Sequence, residues 1–196
     1  MNILTEIKSY NPPPFKNKEI LRYAGCPSND NSISDLINEC ILEVEDKIIY
    51  KVCYCSLDLK ILDNICNFGI FKVESKDLSL NLKGSNKVIL FSATVGIGID
   101  RMITKYSNIS PLKALIFQAI GAERIESLCD LFCEYIKNDL GQDLKPRFSP
   151  GYGDLPLATQ KDIFNILNPR KHIGLYLNDS LMMSPTKSVT AFIGVK

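Results

Sequence analysis

The 196-residue chain has no tryptophan, one histidine and no surplus of either charge: 23 basic residues face 22 acidic ones, for a net of +1. A balanced charge removes the field that would draw the protein to nucleic acid or to an acidic surface. Lysines and arginines form no strong cluster that would restore such a field locally. No apolar run is long enough to cross a bilayer. The opening residues, MNILTEIKSYNPPPFKN, contain no signal-peptide core. These absences predict a cytoplasmic protein with neither a nucleic-acid nor a membrane partner.

Several chemistries also lack their residues. The lone histidine, His172, and the pair Asp179-Ser180 have no G-x-S-x-G elbow to serve, so a hydrolase is not indicated. Gly96-Ile97-Gly98 stops short of a dinucleotide fingerprint, because Arg101 stands where the third glycine belongs. The cysteines number seven, an odd count, and no C-x-x-C occurs. That pattern excludes a complete disulfide set and gives no zinc signature. Cys53 and Cys55 would share one face of a strand, and Cys129 and Cys133 one face of a helix. Small buried hydrophobes are the better reading. No metal ligand and no catalytic residue is assigned.

What is present describes a folded core. Apolar residues make up 45% of the chain, ordinary for a globular protein. Residues 10–14 form an extended, proline-rich lead-in, followed by a short helix near 18–23. Cys26 to Asp30 reads as a turn. Ser32 is placed to cap a helix whose buried face repeats at Ile33, Leu36, Ile37, Cys40, Ile41 and Val44. Strands are expected near 48–55, 69–74, 78–83 and 87–93, close enough for antiparallel pairing. Ser110-Pro111 is a strong helix start and Gly141 a stop, so one long helix should fill the interval. Its early part is apolar nearly all round, including Leu112 and Leu115, and predicts burial on several sides. A helix over 157–167, stopped by Asn168-Pro169, and strands near 173–177 and 188–194 complete the pattern. The expectation is a single α+β domain over residues 1–196, with 1–30 as a lead-in. A mainly antiparallel sheet would pack against helices, one of them long.

The most informative stretch is Arg147-Phe148-Ser149-Pro150-Gly151-Tyr152-Gly153-Asp154. Glycine permits backbone shapes or close approaches that a side chain blocks, and proline stiffens the path. A guanidinium pairs bidentately with a carboxylate. Each residue also has a plain reading, since Pro-Gly alone is a common turn and a loop arginine commonly faces water.

This loop matches R-x-x-P-G-Y. Together with the segment Leu177 to Phe192, which holds Asp179-Ser180, Met182, Pro185 and the closing Ser188-Val189-Thr190, it resembles the activation domain of vitamin B12-dependent methionine synthase in a short, free-standing form. The resemblance implies that the loop binds S-adenosylmethionine. Arg147 would hold the methionine carboxylate, Phe148, Ser149, Pro150 and Gly151 would line the pocket, and Tyr152 would shape it. A family glutamate on the preceding helix falls on Glu126, whose target would be the α-ammonium or a ribose hydroxyl. By helical angle Glu126 lies at the border of the polar face, where an exposed solvating glutamate fits equally well. Longer family members carry a further ligand-contacting tyrosine beyond the point where this sequence ends, and an N-terminal aspartate that is not assigned to any residue here.

The implied role is to serve the reductive methylation that rescues oxidised cobalamin. An external reductant such as a flavodoxin supplies an electron, and S-adenosylmethionine supplies the methyl group. The chain lacks the D-x-H-x-x-G cobalamin motif. Cobalamin is therefore expected on a partner, a methionine synthase lacking its own activation domain. Two alternatives are a non-enzymatic docking protein for a corrinoid protein and a reactivator of another corrinoid methyltransferase.

Overall fold

The computed structural model describes residues 4–26 and 31–196, with backbone alone at 31 and 32. Of the turn expected at 26–30, residues 27–30 lie outside this description. The chain begins with β1 (Glu6–Ser9), α1 (Asn17–Ala24), α2 (Asn31–Val44) and β2 (Lys51–Asp58). A small meander follows, β3 (Lys60–Leu62), β4 (Ile65–Asn67) and β5 (Lys72–Glu74), and then α3 (Lys76–Asn81) and β6 (Lys87–Thr94). Next come α4 (Gly98–Tyr106) and the long α5 (Pro111–Leu140). The chain closes with α6 (Gln160–Leu167), α7 (Pro169–Ile173), β7 (Tyr176–Leu177), β8 (Met183–Ser184) and β9 (Ser188–Val195).

The main sheet is antiparallel throughout, in the order β1-β2-β6-β9. It is covered on both faces, which is why β2 and β6 read as nearly continuous apolar runs. Alternation sends Tyr54, Phe91, Ala191 and Ile193 to one face, under α1, α2, α4 and α5. It sends Cys53, Cys55, Leu90 and Phe192 to the other, under α3, α6 and α7. Each fully buried apolar side chain of this kind contributes about 1.5–3 kcal/mol. The α+β class, the mainly antiparallel sheet and the single long helix are those expected from the sequence.

The long helix begins and ends where its local chemistry dictates. The Ser110 hydroxyl accepts from the Lys113 amide at 3.4 Å, Pro111 occupies the first turn, and Gly141 stops the helix at φ 62°. Leu112 and Leu115 nonetheless stay 45% and 44% exposed, so the first turn is less enclosed than its composition predicts. Burial begins at Ile116 and Phe117, where α4 meets the helix.

Other expectations are corrected. Residues 78–81 belong to a helix, α3, and 82–83 to the turn that follows it, not to a strand. Leu78, Leu80 and Leu82 mimic a two-residue period, but Leu78 and Leu82 are buried one helical turn apart while Leu80 faces solvent. Ser75 caps this helix, accepting from Leu78 N at 3.0 Å. Ser32 lies inside α2 and not ahead of it. Asn168, at φ 44°, ends α6, and Pro169 then opens α7 at its first position. Glu6–Ser9, expected to be lead-in, is the outer strand of the main sheet.

The prolines that follow β1 are gripped by a buried arginine. Arg124 spends all five guanidinium donors: two on Glu123 at 2.5 and 2.6 Å, and one each on Pro13 O (2.6 Å), Pro14 O (2.9 Å) and Tyr50 Oη (3.5 Å). Its plane stacks over Phe15 at 3.9 Å. Ser127 Oγ donates to Glu123 at 2.7 Å, so the carboxylate is shared as well.

Candidate functional site

After Gly141 the chain turns back along the outer edge of β9. Lys145 N donates to Gly194 O at 2.8 Å, and Phe148 and Phe192 exchange both backbone bonds at 3.0 and 2.9 Å. In this register the next rung would pair residue 150 with Thr190. Residue 150 is a proline, which has no amide hydrogen to donate. The ladder ends there and the chain peels away. The outward backbone groups of Phe192 alternate along β9, so those of Thr190 and Ser188 face the edge that has been left open.

Two glycines carry the departing chain through a tight turn. Gly151, at φ 92°, donates to Leu155 O at 2.9 Å, and Gly153 lies at φ 52°. A Cβ at Gly153 would collide with the carboxylate of Asp77. Asp154 then pins the turn to the start of α3. Its carboxylate accepts from Lys76 N at 2.8 Å, from Asp77 N at 3.2 Å and from the Ser75 hydroxyl. The Ser75 bond, helped by those amides, holds the Asp154 carboxyl below its ordinary value.

Between the peeled loop, α5, the start of α6 and the open edge of β9 lies a cleft of about 430 Å³. That volume is in the range of small-molecule sites. Glu126, Arg147, Phe148, Ser149, Pro150 and Tyr152 all line it. Gly151 is not on the wall; it shapes the turn that forms the wall. Tyr152 is largely exposed at the rim. Sequence reasoning missed Gln160, Met183, Ser188, Val189 and Thr190 as lining residues. Three of them sit in the closing Ser-Val-Thr of the second matched segment, which was the available signal. Gln160 left none.

Arg147 is the electrostatic centre. Its Nη2 donates to Glu126 Oε2 and its Nη1 to Asp130 Oδ1, each at 2.8 Å. Nη1 also reaches Cys133 Sγ at 3.6 Å. Burial pulls the guanidinium down, but the Asp130 bond and the neighbouring thiols Cys129 and Cys133 outweigh it, so its pKa is raised. Lys16 offsets part of the acidic charge, 3.8 Å from Asp130. The Arg147–Glu126 pair is the wall between this cleft and a second hollow of about 370 Å³ toward α1.

Burial governs the thiols of the sheets and of α5. Burial pushes the thiols of Cys53 and Cys55 up to about 12 and that of Cys66 up to about 11. Cys133 is also raised by burial, against the opposing pull of Arg147. Among the described residues no group of three or more His, Cys, Asp or Glu side chains could hold a metal ion. Among the described residues no helix is long and apolar enough to cross a membrane. What the cleft offers is an adjacent cation and anion beside a neutral hydrogen-bonding wall.

Residues 78–196 match a family model described as the activation domain of vitamin B12 dependent methionine synthase. That span contains every residue lining the cleft. No curated protein sequence matches the chain. Among solved structures, one described as the reactivation domain of MetH bound to AdoHcy superposes with a TM-score of 0.71. The match covers 98% of this chain and 78% of that one at 13% identity, a likeness of fold.

Proposed function

The chain belongs to the family of vitamin B12 dependent methionine synthase activation domains, and from that premise we propose that its cleft binds S-adenosylmethionine and presents the sulfonium methyl to a cobalamin carried by a partner protein. The observation that carries this reading is the contact between Arg147 and Glu126 at 2.8 Å. An amino-acid head bears a carboxylate and an ammonium on one carbon, so its two protein partners must be neighbours. Arg147 would take the carboxylate with its fork of donors. Glu126 would take the ammonium, which selects between the two targets open to it from sequence. The solved structure bound to AdoHcy, the demethylated form of the same molecule, is of a protein with this fold.

The chain's task is binding and orientation. Phe148, Ser149 and Pro150 form a rigid wall, held by the Phe148–Phe192 bonds on one side and by Asp154 on the other. Gly151 lets the chain turn close to the ligand, and Tyr152 covers the rim. Placing a methyl group over its acceptor and excluding water needs no acid, base or nucleophile from the protein. Cobalamin on the partner supplies the cobalt nucleophile. The partner proposed is a cobalamin-dependent methionine synthase without an activation domain of its own, with a flavodoxin-like reductant as electron donor and a cytoplasmic setting.

The test is calorimetric titration with S-adenosylmethionine, alone and with a corrinoid protein present. Saturable binding that Arg147→Ala weakens at least about tenfold supports the reading. Absence of binding even with the corrinoid protein overturns it, and retained corrinoid-protein binding would then favour a docking role.

A further inference from the structure

Two residues of the cleft wall each carry a buried polar atom that the fold leaves unmet. Gln160 Oε1 and Thr190 Oγ1 belong to residues only 5% and 2% exposed. Neither has a hydrogen-bond partner among the described residues. Both residues line the cleft that Arg147 and Glu126 flank. They arrive from separate elements, Gln160 at the start of α6 and Thr190 on β9. Native proteins leave few buried polar atoms unpaired, and those that remain call for an explanation.

Thr190 is the more telling of the two. Its cross-strand neighbour is Ser92, as Ser188 faces Thr94. Ser188 and Thr94 join their hydroxyls at 2.8 Å. Ser92 and Thr190 make no such bond, and Ser92 Oγ is unpaired as well. Both rungs border the cleft through β9, and the one that stays open is Ser92–Thr190. The Gln160 carbonyl oxygen can only accept, and the Thr190 hydroxyl can accept or donate. A group that satisfies Gln160 must bring a hydrogen-bond donor, and one that also meets Thr190 can bring a second donor or an acceptor.

We propose that Gln160 and Thr190 are specificity-determining residues that recognise the nucleoside half of the ligand through its donors, the exocyclic amine of the base or a sugar hydroxyl. This rests on the reading that the cleft takes S-adenosylmethionine. With the amino-acid head matched to Arg147 and Glu126, the thioether or sulfonium carbons in between have no donors. The base amine and the sugar hydroxyls are the donors that remain.

The experiment titrates S-adenosylhomocysteine, its analogue lacking the base amine and its analogue lacking both sugar hydroxyls. Wild type, Gln160→Leu and Thr190→Val are compared. Each substitution should weaken S-adenosylhomocysteine by about fivefold to a hundredfold. One analogue should bind wild type more weakly than the parent ligand does, yet bind the matching variant as well as the parent does. The amine-free analogue behaving so identifies the base as the source, and the deoxygenated one identifies the sugar. Both variants should melt at or above the wild-type temperature without ligand, because each removes an unmet polar atom. Unchanged affinity for S-adenosylhomocysteine in both variants overturns the proposal, as does a fall in the ligand-free melting temperature of both. Failure of the parent reading looks different: wild type then shows no saturable binding, whereas here it keeps binding and its dependence on Arg147.

Discussion

Two arginines meet helix α5, and they are built for opposite purposes. Arg124 is fully buried, all five donors are spent within the fold, and its carboxylate partner Glu123 is 1% exposed. Arg147 is only partly covered, and its partners Glu126 and Asp130 have side chains 46% and 57% exposed. The first pair is inseparable from the fold, because either ion without the other would be stranded in a dry interior. The second pair can part, because water and an incoming ligand can both reach it. Two ion pairs of the same chemistry, both against one helix, are thus told apart by the solvent around them.

The largest effect should come from attacking the first. Arg124→Leu strands Glu123, and urea denaturation should show a loss of about 3–5 kcal/mol. Adding Glu123→Leu should recover much of that loss. Arg147→Ala should leave the unfolding free energy from urea denaturation within about 1 kcal/mol of wild type while weakening S-adenosylmethionine by about 1.5–3 kcal/mol in calorimetry. If it destabilises the fold as Arg124→Leu does, the contrast collapses. Arg147→Lys keeps the charge and loses the fork, so its affinity should fall between wild type and alanine. Ser110→Ala tests a purely local device, with about 1 kcal/mol expected in thermal or urea melts and no change in ligand affinity.

The smallest effect concerns pH. The Asp154 carboxyl is held below its ordinary value by the Ser75 hydroxyl and two amides. Its stabilisation is therefore present above the ordinary aspartate pKa, about 3.9. It is lost as pH falls through the lowered folded value. Asp154→Asn should flatten the acid limb of the stability curve slightly, read by melts between about pH 2 and 5. It should also loosen the turn at Gly151 to Gly153.

The two arginines differ in legibility as well. Arg147 stands in a compact motif, and six consecutive residues were enough to single it out. Arg124 sits on a helix among residues of mixed character, and its burial depends on prolines 110 or more positions earlier in the chain. Local signals were read correctly: the cap at Ser110, the stop at Gly141, and the strand near 87–93. The error at Leu78 to Leu82 arose because three leucines spaced by two fit a strand, and what decides for a helix is a carboxylate arriving from Asp154. Strand β1 was missed because it is short, polar and at the sheet edge, where little apolar patterning is imposed. Gln160 and Thr190 were not legible as a pair, since only the folded sheet edge brings them to one cleft.

The bridge between Arg147 and Glu126 also acts as a competitor already in residence. In the proposed site, a carboxylate that takes the donor now given to Glu126 would have to displace it. A simple cellular anion, such as acetate or a dicarboxylate, would free Glu126 without offering it a cation, and the exchange would gain almost nothing. A molecule carrying both charges on one carbon replaces both halves of the bridge at once. In the binding mode proposed above, the bridge would thereby screen out common anions before any contact with the rest of the ligand is made.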